Sequence, residues 1–276
     1  MRLNPRYEGP LVLRLEPGGD TGTPLLRQRR RLAETLSTFD ADQWAAPTRC
    51  QGWSTKDVVS HLVTTNVFWA ASMTAGRDGK PTRYLTGFDP AATPAQLVDA
   101  APPIATSELL DNFVSSNDAI AHALEGLEGD GWEAVAEAPP GHLTLSAVAL
   151  HALWDSWIHE RDICLPLGLQ PVEVPDEVAG SLRYVAGLGP ALLATIGSTR
   201  LGAFAVTATD PEVTFVVEIG PSVLVSDAPG TDGMATVSGG AVDLAEGFSC
   251  RRPPPSLSVA DQWMVDCLQM AFAGET

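Results

Sequence analysis

No stretch of about 18 consecutive apolar residues occurs in the chain, which excludes a helix long enough to span a bilayer. The longest weakly polar segment, 185–196, is broken by Gly187, Gly189 and Pro190. The first ten residues carry no apolar stretch behind their charges, so a secretory signal is not expected. Cysteine is scarce: the four are Cys50, Cys164, Cys250 and Cys267, and no two form a C-x-x-C pair. That spacing argues against a cysteine-held zinc and fits reduced thiols in a cytoplasmic protein. Basic residues are few, 17 Lys and Arg against 34 Asp and Glu, for a formal net charge of −17. Such a surface repels phosphate backbones and anionic lipid, so neither nucleic acid nor a membrane is expected as a partner. No internal repeat of about 20–50 residues is present.

What the chain does have is core material. Its 276 residues are 45 % hydrophobic and 18 % charged, enough for one large or two small domains at roughly 150 residues each. An N-terminal extension, 1–23, carries one short strand at 11–15. The first helix fits 24–39, with Leu25, Leu32, Leu36 and Phe39 on one side and Arg27, Arg29, Arg30 and Arg31 forming a solvated face. A second begins at Ser54, whose side chain can cap it with Asp57 three residues on, and runs to Gly76. A Pro- and Gly-punctuated loop follows over 77–103. Further helices fit 107–127, 144–164 with Thr144 as cap, and a segment after Pro175 that loosens at Gly187–Pro190. Beyond 198 the texture changes. Short β-rich stretches at 201–209, 212–219, 223–227 and 234–237 are followed by helices at 241–248 and 256–273. The fold class read from this order is mainly α: a helical domain over 24–198, then a small α+β domain over 199–276.

Of the five histidines, His122 and His142 read as surface or loop residues. The dense segment is 151–162. His151, Asp155 and His159 are spaced i, i+4, i+8, so at about 100° per residue all three project from nearly one helix face, and Asp162 lies three residues further on that side. An Asp and a His one turn apart can grip a metal ion from a rigid rod, with a third ligand from another helix and positions left open. His61, between Val58, Val59 and Leu62, is the candidate for that third ligand. Imidazole with carboxylate suits zinc, and also nickel, iron or manganese. Plain side-chain pairing along a helix and a hydrogen-bonded core histidine would give the same spacing. Trp53, Trp69, Trp154 and Trp157 read as core rather than as a cofactor box.

Trp44, the run Pro47-Thr48-Arg49-Cys50-Gln51-Gly52-Trp53-Ser54-Thr55-Lys56-Asp57-Val58-Val59-Ser60-His61-Leu62, and the later Asp155-x-x-x-His159-x-x-Asp162 together resemble the two motifs of the DinB-like, mycothiol-dependent maleylpyruvate isomerase family. The resemblance covers roughly 24–200. It implies a DinB-like four-helix bundle holding a divalent metal, usually zinc, through His61, Asp155 and His159. From 201 the chain is similar, through the 237–244 stretch, to the family's sterol-carrier-like C-terminal domain. The resemblance further implies mycothiol or a similar thiol as cofactor, activated as a metal-bound thiolate for isomerisation or S-transfer on a small electrophile. In this reading Asp162 orients His159, and Arg161, Arg251 and Arg252 are candidate cofactor- or substrate-binding cations.

Two departures stand out. The acid is Asp155 where the isomerase type has the longer Glu. His151, one turn earlier, is a further ligand, an outer partner or a catalytic base. A thiol-independent metal hydrolase on the same bundle and a non-catalytic small-molecule binding or regulatory protein are the competing readings; the protein is expected to be a monomer or weak homodimer.

Overall fold

The computed structural model describes residues 2–273. Four long helices carry the first half: α1 (Gly22–Leu36), α3 (Thr55–Arg77), α5 (Thr106–Leu124) and α6 (Leu145–Cys164). α3 packs on α5, α5 on α1, α1 on α6 and α6 back on α3. Every residue of α6 is buried, so its sequence lacks the one-sided stripe of a surface helix. The expected caps are in place: Ser54 and Asp57 form a capping box on α3, and the Thr144 hydroxyl accepts from the Ala147 amide on α6.

The first expected helix is shorter than its pattern. It ends at Leu36, and Asp40 caps a separate short α2 (Ala41–Ala45). The loop over 77–103 contains α4 (Ala92–Asp99), and a hairpin of β2 (Val135–Ala138) and β3 (Gly141–Thr144), not foreseen, precedes α6. The solvated-arginine reading of α1 holds only for Arg30. Arg29 is fully buried, with Nη2 donating to the Ala152 carbonyl at 2.9 Å and Nη1 to Asn66. Arg27 and Arg31 pair with Glu177, and Arg31 also with Glu160. α1 is wedged against α6 and α7 (Pro175–Thr195), so those cations meet buried acids rather than water.

α7 runs unbroken through Gly187, Gly189 and Pro190. The glycines serve contact rather than flexibility. A Cβ on Gly187 would lie 2.7 Å from Val225 Cγ2, and one on Gly189 would lie 2.7 Å from the Leu268 amide nitrogen. α7 is thereby pressed between the sheet and α9 (Cys267–Ala273).

The sheet has five strands, in the order β1-β6-β5-β4-β7. β4 (Gly202–Thr209), β5 (Val213–Ile219) and β6 (Val223–Ser226) form an antiparallel meander. β7 (Ala235–Gly240) joins β4 in parallel, and β1 (Leu13–Leu15) joins β6 in parallel, so the N-terminal strand edges the C-terminal sheet. α8 (Ala241–Phe248) follows β7 directly. The helix expected over 256–273 forms only at its end. Before it, the Gln262 side chain accepts from the Leu257 amide and donates to the Pro255 carbonyl, folding that segment into a local turn. Among the described residues no helix is long and apolar enough to cross a membrane.

Candidate metal centre

Two helices and one turn build the site. α3 brings His61 from its second turn, and α6 brings Asp155 and His159 from its buried middle. The 47–54 turn is tied across its base by pairing of Pro47 with Ser54 and reaches α6 through the Arg49 amide, which donates to the Asp162 carbonyl at 3.1 Å.

His61 Nε2 and His159 Nε2 both lie 3.6 Å from the same atom, Asp155 Oδ1, and the two rings stand edge to face with centroids 5.1 Å apart. One donor atom from each of the three residues falls within a 4.8 Å cluster. At 3.6 Å the imidazoles are too far from the carboxylate for good hydrogen bonds. That separation is close to the edge of a tetrahedron with metal–ligand bonds of about 2.0–2.2 Å, which is roughly 3.4 Å. The donor set therefore fits a divalent cation in number, chemistry and spacing.

The outer atoms of His159 and Asp155 are held from outside. His159 Nδ1 lies 3.0 Å from Asp162 Oδ2, which fixes the ring with Nε2 toward the cluster. Asp162, fully buried, also accepts from Arg49 Nε at 3.0 Å, Arg251 Nη2 at 2.8 Å and Cys50 Sγ at 3.2 Å. Asp155 Oδ2 accepts from Thr65 Oγ1 at 3.4 Å. Burial alone would lower the basicity of His159, but Asp162, Cys50 and Asp155 outweigh it and push the imidazole up to about 10. Burial would raise both aspartates, yet the histidines, and Arg251 at Asp162, hold them well below the usual carboxylate range.

His151 stands apart from the cluster. Its Nδ1 lies 2.5 Å from the Tyr184 hydroxyl, and its ring packs against Trp69 and Trp154. Burial pushes it down to about 4, so it is neutral at pH 7. Arg251 reaches the site from beyond α8. Arg161 and Arg252 do not: both turn to Glu246, at 2.8 Å each, and Arg161 also to Glu173. Arg49 and Cys50 were visible in the sequence only as part of the turn, and their place beside Asp162 depends on the tertiary fold. Of the other histidines, His122 is exposed on α5, while His142 is buried with Nε2 at 2.9 Å from the Thr82 carbonyl.

The cluster opens into a cavity of about 590 Å³. The end beside His61, Asp155 and His159 carries Arg49, Cys50, Thr65 and Arg251. The rest is walled by side chains such as Phe68, Trp154, Leu192 and Phe272, with His151 among them.

Residues 25–164 match the family described as the mycothiol maleylpyruvate isomerase N-terminal domain. Two crystal structures, of the mycothiol-dependent maleylpyruvate isomerase and of its histidine-to-alanine mutant, share the fold. Each is 15 % identical with a TM-score of 0.58, over 86 % of this chain and 90 % of that one. None of the curated proteins matches the sequence.

Proposed function

The chain belongs to the family of the mycothiol maleylpyruvate isomerase N-terminal domain, and from that premise we propose that it is a thiol-dependent enzyme of the isomerase or S-transferase type acting on a small electrophile. His61, Asp155 and His159 would hold a divalent cation, zinc by the chemistry of the set, with nickel, iron and manganese as the other candidates. When bound, such a cation supplies Lewis acidity that keeps a coordinated thiol, mycothiol or a relative, deprotonated at neutral pH. The single observation that carries the reading is the convergence of two imidazole nitrogens on one Asp155 oxygen in the lining of a cavity.

The chain's own groups have separable tasks. Asp162 fixes the tautomer and direction of His159, while Arg49 and Arg251 keep that carboxylate ionised. His151 offers a neutral imidazole that can give or take a proton. The apolar walls exclude water from the reacting groups. Arg161 and Arg252 brace α8 through Glu246, and as cofactor contacts they would need that pairing to open. In the same reading, 1–23 is an extension, 24–198 a DinB-like bundle, 199–276 a sterol-carrier-like domain, and the protein cytoplasmic.

The test is metal analysis of the purified protein beside His61→Ala and His159→Ala, followed by turnover with a panel of thiols. Stoichiometric metal in the parent and its loss in both variants is expected, as is turnover only with a thiol present. Metal retained by both variants rejects the ligand set, and turnover without thiol favours a hydrolase.

A further inference from the structure

The cavity behind the metal centre is divided by chemistry. The cations that line it, Arg49 and Arg251, lie at the metal end and are both committed to Asp162, with Arg49 also bound to Glu246. Further in, the walls are Phe68, Trp69, Trp154, Leu188, Leu192 and Leu268. A carboxylate carried there would lose its hydration away from both guanidinium groups; the buried Arg49 Nη2, which has no partner among the described residues, belongs to the other end, beside Asp162. The apolar end nonetheless holds two polar groups with no partner among the described residues. His151 uses Nδ1 on Tyr184, and its Nε2 has no hydrogen bond. Trp69 lines the same space, and its buried Nε1–H finds no acceptor.

We propose that the electrophile taken by this site is an uncharged, largely apolar carbonyl compound, its carbon skeleton in the apolar end of the cavity and its oxygen hydrogen-bonded to His151 Nε2. The Tyr184 hydroxyl has no other acceptor among the described residues; when it donates to Nδ1, the imidazole proton sits on Nε2, where it can donate to a carbonyl oxygen. His151 precedes Asp155 by one helical turn, about 6 Å, so such an oxygen lies within one small molecule's length of the metal ligands. A polar thiol would take the other end, where Arg49 Nη2 is buried with no partner among the described residues. The inference rests on the proposed enzyme for the word electrophile, but the selectivity for neutral, apolar ligands belongs to the cavity itself.

The test is calorimetric titration of the chain, without added metal or thiol, using acetophenone, toluene and maleate as probes. Saturable binding of acetophenone with Kd below about 1 mM, weaker binding of toluene and none of maleate is expected. In His151→Phe, acetophenone should bind about tenfold more weakly with toluene unchanged, and His151→Gln, which keeps a donor, should recover part of the loss. Binding of maleate in preference to acetophenone, or no saturable binding of the ketone, overturns the proposal. So does a His151→Phe variant that binds toluene and acetophenone as the parent does. Because neither metal nor thiol is present, failure here leaves the ligand assignment standing. Conversely, metal retained by His61→Ala and His159→Ala leaves these titrations unaffected.

Discussion

Asp162 is the residue on which the site's electrostatics turn. It is fully buried, yet two guanidinium groups, one imidazole and one thiol converge on its two oxygens. Asp162→Asn keeps the shape and removes the charge, leaving Arg251 and Arg49 under-paired in a low-dielectric site. Denaturant unfolding should register a loss of about 3–5 kcal/mol, as expected when one partner of a buried pair is removed. Metal affinity, measured against a chelator, should fall about 10- to 100-fold because His159 loses its orienting acceptor. An unchanged affinity would mean that Asp162 only braces the fold. A second expectation concerns protons. In the metal-free protein His159 is raised to about 10, so at pH 7 it carries a proton that a metal on Nε2 must displace. Titration with zinc in buffers of different ionisation enthalpy should show about one proton released per metal, and heats independent of buffer would contradict the ligand role. The sign for stability follows from the raised value: the His159 contribution is complete below about pH 6.5 and fades as pH climbs toward 10. With chelator present, the gap in unfolding free energy between the parent and His159→Gln should close over that window. The i, i+4 spacing makes Asp155 and His159 legible in the sequence, because a helix converts spacing into direction. Cys50 and Arg49 are not legible there as site residues, since nothing in a turn's sequence says which carboxylate it will meet.

At the scale of the element, α7 is where sequence and structure part most clearly. Two glycines and a proline within four residues read as a weak point, but the helix continues, because what those positions lack is bulk rather than helical geometry. An alanine at Gly189 would favour the helix by about 1 kcal/mol from intrinsic propensity. Against this, its Cβ would sit 2.7 Å from the Leu268 amide nitrogen and 2.9 Å from Cys267 Cβ, and neither can swing aside as a flexible side chain would. Overpacking typically costs about 1–3 kcal/mol. Gly189→Ala should therefore lower Tm by a few degrees and loosen α9, whose Leu268 and Phe272 line the cavity. A rise in Tm would show that α9 yields without cost. The strands and capped helices are legible because alternation and capping chemistry are local. The buried pairing of the α1 arginines is not, because their acids, Glu160 and Glu177, lie about 130–150 residues away in sequence.

Across the whole molecule, one wall of the cavity, contributed by 85–97, is anchored in the unforeseen hairpin. α4 buries none of its residues, and the segment before it is tied to the core through Phe88, whose side chain packs against it and whose carbonyl accepts from the Leu3 amide. Glu137 on β2 holds its beginning. That carboxylate is fully buried, and each oxygen accepts one hydroxyl and one backbone amide: Tyr7 Oη and the Leu85 amide on Oε1, Thr82 Oγ1 and the Tyr84 amide on Oε2. The N-terminal extension, the cavity wall and the hairpin thus meet at one side chain. Sequence alone shows a single acid in a short apolar stretch, with no hint that four donors from two distant segments share it. Glu137→Gln is close to isosteric but replaces one acceptor with an NH₂ group. The facing hydroxyl can rotate away, whereas the facing backbone N–H cannot turn into an acceptor, so one donor is left opposed to another at a cost of about 1–3 kcal/mol. That cost falls on the wall and not on His61, Asp155 or His159. Hydrogen exchange at the Tyr84 and Leu85 amides should accelerate about 5- to 100-fold while metal stoichiometry stays at the parent's value. Accelerated exchange spread evenly over α3 and α6 would instead show that Glu137 supports the whole helical core.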